Sequence, residues 1–323
     1  MLWEVALQNL TSPPVLAFAL GLIAVAIKSD LRLPEAVYQA LSIYLLLGIG
    51  IKGGVALSQS TPGEIWLPIL GALGLGLVVP WLAFQVLGLT TKLDQINRGA
   101  VAAHYGSTSL VTFTAALIFL DAQQIFVEGY VTTLLAILEI PGIIVGLMLA
   151  SRGLGRSVNW SESLREVLTA RSIVLLAGGL GLGLVTGTAG YARIEPFFGA
   201  LFTGVLTLFL LEMGIVAGRR IPDIKSAGLG LVGFSLGFPL LAGSLGVLTG
   251  HLTGMGLGGS AVLGVLTASA SYIAAPAAVR LALPEASPGI YLTASLGITF
   301  PFNLIVGIPL MVSLSGLVEG LGL

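Results

Sequence analysis

The chain of 323 residues contains no cysteine and only two histidines. The first absence excludes disulfides, thiolate nucleophiles and cysteine-held metals, and it leaves the redox compartment undetermined. Two well-separated histidines are too few for a metal cluster, and nothing pairs a nucleophile with a base, so no enzyme is expected. Charge is equally scarce. Asp, Glu, Lys and Arg make up 9% of the residues, against ~25% in soluble domains. A net charge of −1 offers no electrostatic footprint for nucleic acid. No polar segment is long enough for a soluble domain, and residues 1–8 hold Glu4 but no Lys or Arg, so no cleavable signal peptide is expected.

What remains is apolar. Hydrophobic residues make up 56% of the chain and the mean hydropathy is +1.03, too high for a surface that must stay dispersed in water. The 45 glycines would weaken a soluble bundle but suit lipid, where small residues let helices approach closely. Taking ~20 apolar residues per crossing predicts ten transmembrane helices, near 13–28, 34–52, 64–89, 98–120, 130–150, 172–188, 196–217, 227–249, 258–280 and 289–316. Ser151–Arg171 is the longest polar stretch and reads as a linker, with a short surface helix over Trp160–Thr169. With the N-terminus outside, the inward connections collect Lys28, Arg32, Lys92, Arg98, Arg152, Arg156, Arg165, Arg171, Arg219, Arg220, Lys225 and Arg280. Only Lys52 and Arg193 fall outside, so both termini are expected outside a cytoplasmic (inner) membrane. Trp3, Trp66, Trp81 and Trp160 read as interfacial anchors, and His251 as an interfacial residue near an outer helix end. Lys52 and Glu212 belong to opposite faces, so no salt bridge between them is expected, and Lys52 can snorkel outward.

The two halves resemble each other at an offset of about 160 residues. Pro34 returns as Pro196, Gly50-Ile51 as Gly214-Ile215, Pro80-x-Leu82-Ala83 as Pro239-x-Leu241-Ala242, and Pro141 as Pro301. Each match is weak alone; their collinearity is not. Five spans per half is an odd number, so the second half must be inverted. The expected fold is therefore an all-α integral membrane protein of two inverted five-helix repeats, 1–150 and 172–323, joined by the 151–171 linker. That is a secondary-transporter architecture, in which substrates bind where helices break near the midplane.

Two corresponding breaks are visible. Helix four runs into Gly106-Ser107-Thr108-Ser109 before resuming, and helix nine into Ala268-Ser269-Ala270-Ser271-Tyr272, with Pro276 beyond, which reads as a helix breaker that removes a backbone donor and clashes with the preceding turn. Half-helix N-termini there would bind a small anion through unpaired N–H groups and a positive dipole end. Gly106, Ser107, Thr108, Ser109, Ser269 and Ser271 are the candidate anion site. The freed carbonyls suit a hard cation such as sodium. Glu139, in Leu138-Glu139-Ile140-Pro141, is a carboxylate deep in the fifth span and a functional candidate by default. Its counterpart Thr299 and nearby Asn303 add oxygens, so Glu139, Thr299 and Asn303 are the candidate sodium ligands. A structural glutamate bonded to a neighbouring helix is the alternative for Glu139. Proton coupling through His104 and attraction of an outgoing anion by Arg280 are weaker candidates.

Several stretches, taken in order, resemble the sodium-dependent bicarbonate transporter family known from cyanobacteria. They are Pro34-Glu-Ala-Val-Tyr38, Gly50-Ile-Lys-Gly-Gly54, Gly106-Ser107-Thr108, Glu139-Ile140-Pro141, Ser269-Ala-Ser-Tyr-Ile-Ala-Ala-Pro276 with Arg280, Pro284-Glu-Ala-Ser-Pro288, and Ala294-Ser-Leu-Gly-Ile-Thr-x-Pro301. The resemblance implies a core of helices 3–5 and 8–10 moving against a gate or scaffold of helices 1, 2, 6 and 7, assembled as a homotrimer. It implies bicarbonate and a coupling sodium near the crossing of the broken helices four and nine, with no other cofactor. The family members carry aspartates where this chain has Tyr272 and Glu139, which bears on the number of sodium ions and on the substrate. A small soluble regulatory protein is known for the family; the short linker here lowers that expectation. A carrier of another small monovalent anion, such as a short carboxylate, and a non-transporting scaffold are the rival readings.

Overall fold

The computed structural model describes residues 10–152 and 160–322. Trp3, Glu4 and Arg156 lie outside them, as do the side chains of Trp160 and Lys225. Every regular element among the described residues is a helix, with no strand among them. An apolar chain with no water to satisfy its backbone must pair each N–H within its own helix, and few charges are present to prevent it.

The helices are α1 (Pro13–Ala26), α2 (Glu35–Gln59), α3 (Pro62–Thr90), α4 (Gln95–Gly106), α5 (Leu110–Ala122), α6 (Val131–Ser151) and α7 (Trp160–Thr169). There follow α8 (Arg171–Glu195), α9 (Phe202–Ile224), α10 (Ala227–Leu252), α11 (Leu257–Ala268), α12 (Ala275–Ala282) and α13 (Pro288–Gly320). Eight helices, counting Gln95–Ala122 as one, are long and apolar enough to cross a membrane; α1 and α11 are shorter apolar helices. The linker helix α7 coincides with the expected surface helix.

Two boundaries differ from expectation. The connection expected near 189–195 is helical: α8 bends at Gly187 (φ 57°, ψ −160°) and runs on through Arg193 to Glu195. The basic connection after α9 is helical too, and the chain turns only at Gly228 (φ 79°, ψ 152°). In both places a positive-φ glycine, rather than a polar residue, sets the bend. In α13, Pro301 and Pro309 each remove an N–H, and a wider π turn precedes each, at Thr293–Thr299 and Asn303–Gly307.

Helices from the two halves pack closely through glycine. In α2 and α8, Gly50 and Gly54 face Gly179 and Gly183, so that a Cβ on Gly50 would stand 3.0 Å from the Gly179 Cα. In α1 and α9, a Cβ on Gly21 would stand 2.9 Å from the Gly214 Cα. Small residues four apart on a helix are what lets backbones approach in lipid. Elsewhere α6 packs on α3 and α4, and α10 on α11. The loops are tied across the halves as well. Asp94 caps α4, accepting from Asn97 N at 2.8 Å, and Asn97 Oδ1 accepts from Ser287 N, ahead of α13, at 2.8 Å. Correspondingly, the Glu128 carboxylate ahead of α6 accepts from Gly256 N at the start of α11.

Of the expected interfacial anchors, Trp66 and Trp81 are exposed on α3. His251 differs: it is buried, and its Nε2 lies 2.9 Å from Ser315 Oγ on α13, a partner contributed by a distant helix. Glu212 accepts from Leu33 N at 2.9 Å, beside the start of α2, whereas Lys52 lies far along that helix.

Candidate functional site

Both serine-rich stretches interrupt their helices. After Gly106, Ser107–Ser109 runs extended, with Ser107 at φ −98°, ψ 171° and Ser109 at φ −105°, ψ 112°. Ser109 then caps α5, its Oγ accepting from Thr112 N at 3.2 Å. After Ala268 the chain leaves the helix at Ser269 (φ −84°, ψ 166°) and re-enters it at Ala275, where Ser271 Oγ accepts from Ala275 N at 3.2 Å. Pro276 sits in the first turn of α12, where its missing N–H would have had no partner in the helix. It therefore starts the half-helix rather than breaking it.

The two extended segments are bound to each other. Ser109 N donates to Ser269 Oγ at 2.9 Å, and Ser271 N donates to the His104 carbonyl at 2.7 Å. Ser269 Oγ also donates to the Leu266 carbonyl at 2.7 Å. Ser107 Oγ is buried without a partner, and Thr108 makes only a long contact, 3.4 Å, to the Leu135 carbonyl. Gly106 plays a packing part: a Cβ there would meet Pro80 of α3 and Gly142 of α6. Replacing Ser269 by Ala removes the acceptor of a buried N–H, and the expected loss of stability is about 1–3 kcal/mol, read as a lowered Tm in detergent. An unchanged Tm would mean that the two breaks are not tied through this hydroxyl.

Beside this junction lies a small cavity. Thr108, Ser109, Ser271, Tyr272 and the buried Glu139 form one side, and Leu46 of α2 with Ser172 and Leu176 of α8 form the other. At about 10 Å³ it holds roughly one water. The cavity therefore sits where the α2–α8 pair meets the broken helices. Two larger cavities flank it along α2. One of 680 Å³ runs from Glu35 to Leu46, bordered by Glu166, Arg171 and Arg280, and shares Leu46, Ser172, Tyr272 and Ile273 with the small cavity. The other, of 490 Å³, is lined by Ile49 and Lys52 of α2, Thr114 and Asp121 of α5, and Thr132 of α6.

A family model described as the Na+-dependent bicarbonate transporter superfamily matches residues 13–315, a stretch that contains both breaks and Glu139. The chain belongs to that superfamily. It is thus a multi-pass membrane protein of a transporter superfamily, whose name itself implies sodium and bicarbonate. No curated protein matches the chain.

In this member of the Na+-dependent bicarbonate transporter superfamily, the candidate oxygen ligands fall into two groups. The structure gathers Glu139, Thr108, Ser109 and Ser271 around one cavity. Thr299 and Asn303 are placed differently. Thr299 Oγ1 donates to the Ser235 carbonyl at 2.7 Å and lies 2.5 Å from the Tyr105 hydroxyl. Asn303 Nδ2 donates to the Ala268 carbonyl at 2.7 Å, bracing the end of α11, while its Oδ1 is buried without a partner. Neither has a described contact with Glu139. His104 is fully buried, its Nδ1 2.7 Å from the Ala100 carbonyl and its ring stacked on Tyr291 at 4.4 Å.

Three participants went unread in the sequence. Ser172 and Leu46 face Glu139 from the α2–α8 pair, and Tyr105 holds Thr299. No local pattern announces a contact between residues so far apart in sequence. Tyr272 lines all three of the small cavity, the Arg171–Arg280 cavity and the Glu212–Arg220 cavity, its ring edge-on to Phe300 at 5.3 Å.

Proposed function

We propose that this protein is a sodium-dependent bicarbonate symporter that works by alternating access. One observation carries the reading. Two helix breaks are hydrogen-bonded to each other beside a buried carboxylate, in a cavity that separates two larger ones.

Bicarbonate would be held by the hydroxyls of Ser107, Thr108, Ser109, Ser269 and Ser271, the chain at Gly106, and the N-terminal ends of α5 and α12. Sodium, as co-transported cargo, would sit beside Glu139, whose charge needs a cation to be tolerated at that depth. Thr299 and Asn303 remain candidates for a second cation position. Ten crossings follow when α1 and the α11–α12 pair join the eight long helices. Matched contacts support the inverted repeat. Gly142 meets the end of α4 as Asn303 meets the end of α11, and the Glu128–Gly256 bond is answered by Ser287–Asn97. The α1–α9 and α2–α8 glycine contacts make a scaffold, against which the core of α3–α6 and α10–α13 would slide. With the basic connections inside, the Arg171–Arg280 cavity would open to the inner face and the Lys52 cavity to the outer face.

The small cavity shares wall residues with the Arg171–Arg280 cavity and none with the Lys52 cavity, which supports a cycle in which this geometry would be an occluded form leaning inward. The test is uptake of labelled bicarbonate into proteoliposomes. An inward sodium gradient is expected to raise uptake about tenfold or more, a coupling within the usual range for linked sites. Sodium-independent uptake would remove the symport. Uptake of a short carboxylate such as formate in place of bicarbonate would keep the carrier and change its substrate.

A further inference from the structure

We propose that Ser172 of α8 is a further cation ligand opposite Glu139, so that a sodium ion in the small cavity is held by the scaffold and the core at once. The inference rests on the sodium-coupled reading and deepens it, since that reading draws every ligand from the core.

The oxygens around the cavity come from both bodies. Thr108, Ser109, Ser271 and Tyr272 belong to the broken segments and Glu139 to α6, whereas Ser172 is the one oxygen-bearing side chain on the wall that α2 and α8 supply. These oxygens are not equally free. Ser109 Oγ accepts from Thr112 N and Thr112 Oγ1, and Ser271 Oγ accepts from Ala275 N. Ser172 Oγ is buried and has no hydrogen-bond partner. Serines elsewhere in the helices turn the hydroxyl back onto their own backbone, as Ser235 does to the Leu231 carbonyl and Ser244 to that of Leu240, each at 2.8 Å. Ser172 makes no such bond. A buried hydroxyl left unpaired is costly, so an occupant of the cavity that satisfies it is favoured.

Charge decides between water and a cation as that occupant. No lysine or arginine borders the cavity, and the ion pair that forms among the described residues, Arg220–Asp223 at 3.3 Å, lies elsewhere. A carboxylate at the depth of Glu139 needs a positive partner, and a hydroxyl oxygen is a ligand that a hard cation accepts. The space of about 10 Å³ admits one monatomic ion. The consequence is mechanical. Close backbone approach of Gly50 to Gly179 locks α2 to α8, and the Ser109–Ser269 bond locks the two breaks together. Each wall is therefore firm in itself. An ion bound to both walls is bound in this seating of the core on the scaffold and loses Ser172 in any other. Sodium then draws the carrier toward this geometry by as much as Ser172 adds to its affinity.

Two measurements test this, neither of which needs transport. In the first, the purified protein is titrated with sodium at constant ionic strength, with potassium as the replacing ion, and Tm is followed. In Ser172→Ala the sodium concentration giving half the rise in Tm is expected to be about tenfold higher, with the sodium-free Tm close to wild type. Ser172→Thr, which keeps the oxygen, is expected to stay near the wild-type value. A lowered sodium-free Tm with a sodium response of wild-type size would make Ser172 a structural hydroxyl and overturn the inference. The second measurement uses the absence of cysteine. Leu46 is 1% exposed and borders both the small cavity and the 680 Å³ cavity, so a thiol in Leu46→Cys reacts when the core lifts from the scaffold. Sodium is expected to slow its reaction with a small neutral methanethiosulfonate about tenfold, and Ser172→Ala to remove most of that protection. Protection that survives Ser172→Ala would overturn the link between the ion and the scaffold. A wild-type protein with no sodium response in either measurement would overturn the sodium-coupled reading and this inference together, whereas a response indifferent to Ser172→Ala would overturn the inference alone.

Discussion

Glu139→Gln is expected to abolish sodium-driven uptake and the stabilisation of the purified protein by sodium. Glu139 is 5% exposed and faces Thr108, Ser109 and Ser271 across a space of about 10 Å³. Glutamine keeps the shape and one oxygen but loses the charge that would hold a cation there. Removing one partner of a buried charge pair costs about 3–5 kcal/mol, so sodium affinity should fall by roughly 100-fold or more. Sodium at ~100 times its Kd adds about 2.7 kcal/mol to stability, and this increment should vanish in the variant. Thermal unfolding with and without sodium reads it, with potassium as the control ion. A sodium response of wild-type size in Glu139→Gln would remove this residue from the cation site and leave it a structural carboxyl opposite Ser172.

The second large effect is steric. Gly142→Ala should destabilise the protein by about 3 kcal/mol or more, because the new Cβ would fall on the Gly106 carbonyl at the point where α6 crosses the end of α4. Both partners are backbone, so no side chain can turn away to make room. The helices must separate, and with them the Ser107–Ser109 segment that begins at this crossing. The expected result is a lowered Tm together with loss of uptake in whatever protein remains folded. Gly74→Ala serves as the control, since a Cβ at Gly74 meets nothing within 4 Å and alanine favours the helix. Equal Tm values for the two variants would show that α4 and α6 have slack at the break.

Part of this architecture was readable from local sequence. Runs of apolar residues mark membrane helices because the requirement for internal hydrogen bonds acts on each segment separately. The breaks at Ser107–Ser109 and Ser269–Ala274 were visible for a similar reason, since short polar residues between apolar runs have nothing to gain from continuing a helix there. The linker helix α7 ended where the polar stretch said it would. The misread places were those where a neighbour overrides the local signal. Arg193 looked like a loop residue, yet α8 carries it in its last turn because the bend is made earlier, at Gly187. Pro276 looked like a helix breaker, yet it stands where α12 begins.

The sequence by itself determined that this is a helical membrane protein, where its helices are interrupted, and which carboxylate lies deep within it. Each of these depends on the chemistry of a residue and its near neighbours. Only the tertiary structure decided what that carboxylate faces. It brought Leu46 and Ser172 to Glu139 and sent Thr299 to Tyr105 and Asn303 to the end of α11. It also set the two breaks within a hydrogen bond of each other. The physical reason is that such contacts are made by close glycine packing between helices over a hundred residues apart, and a crossing of that kind leaves no periodic trace along the chain.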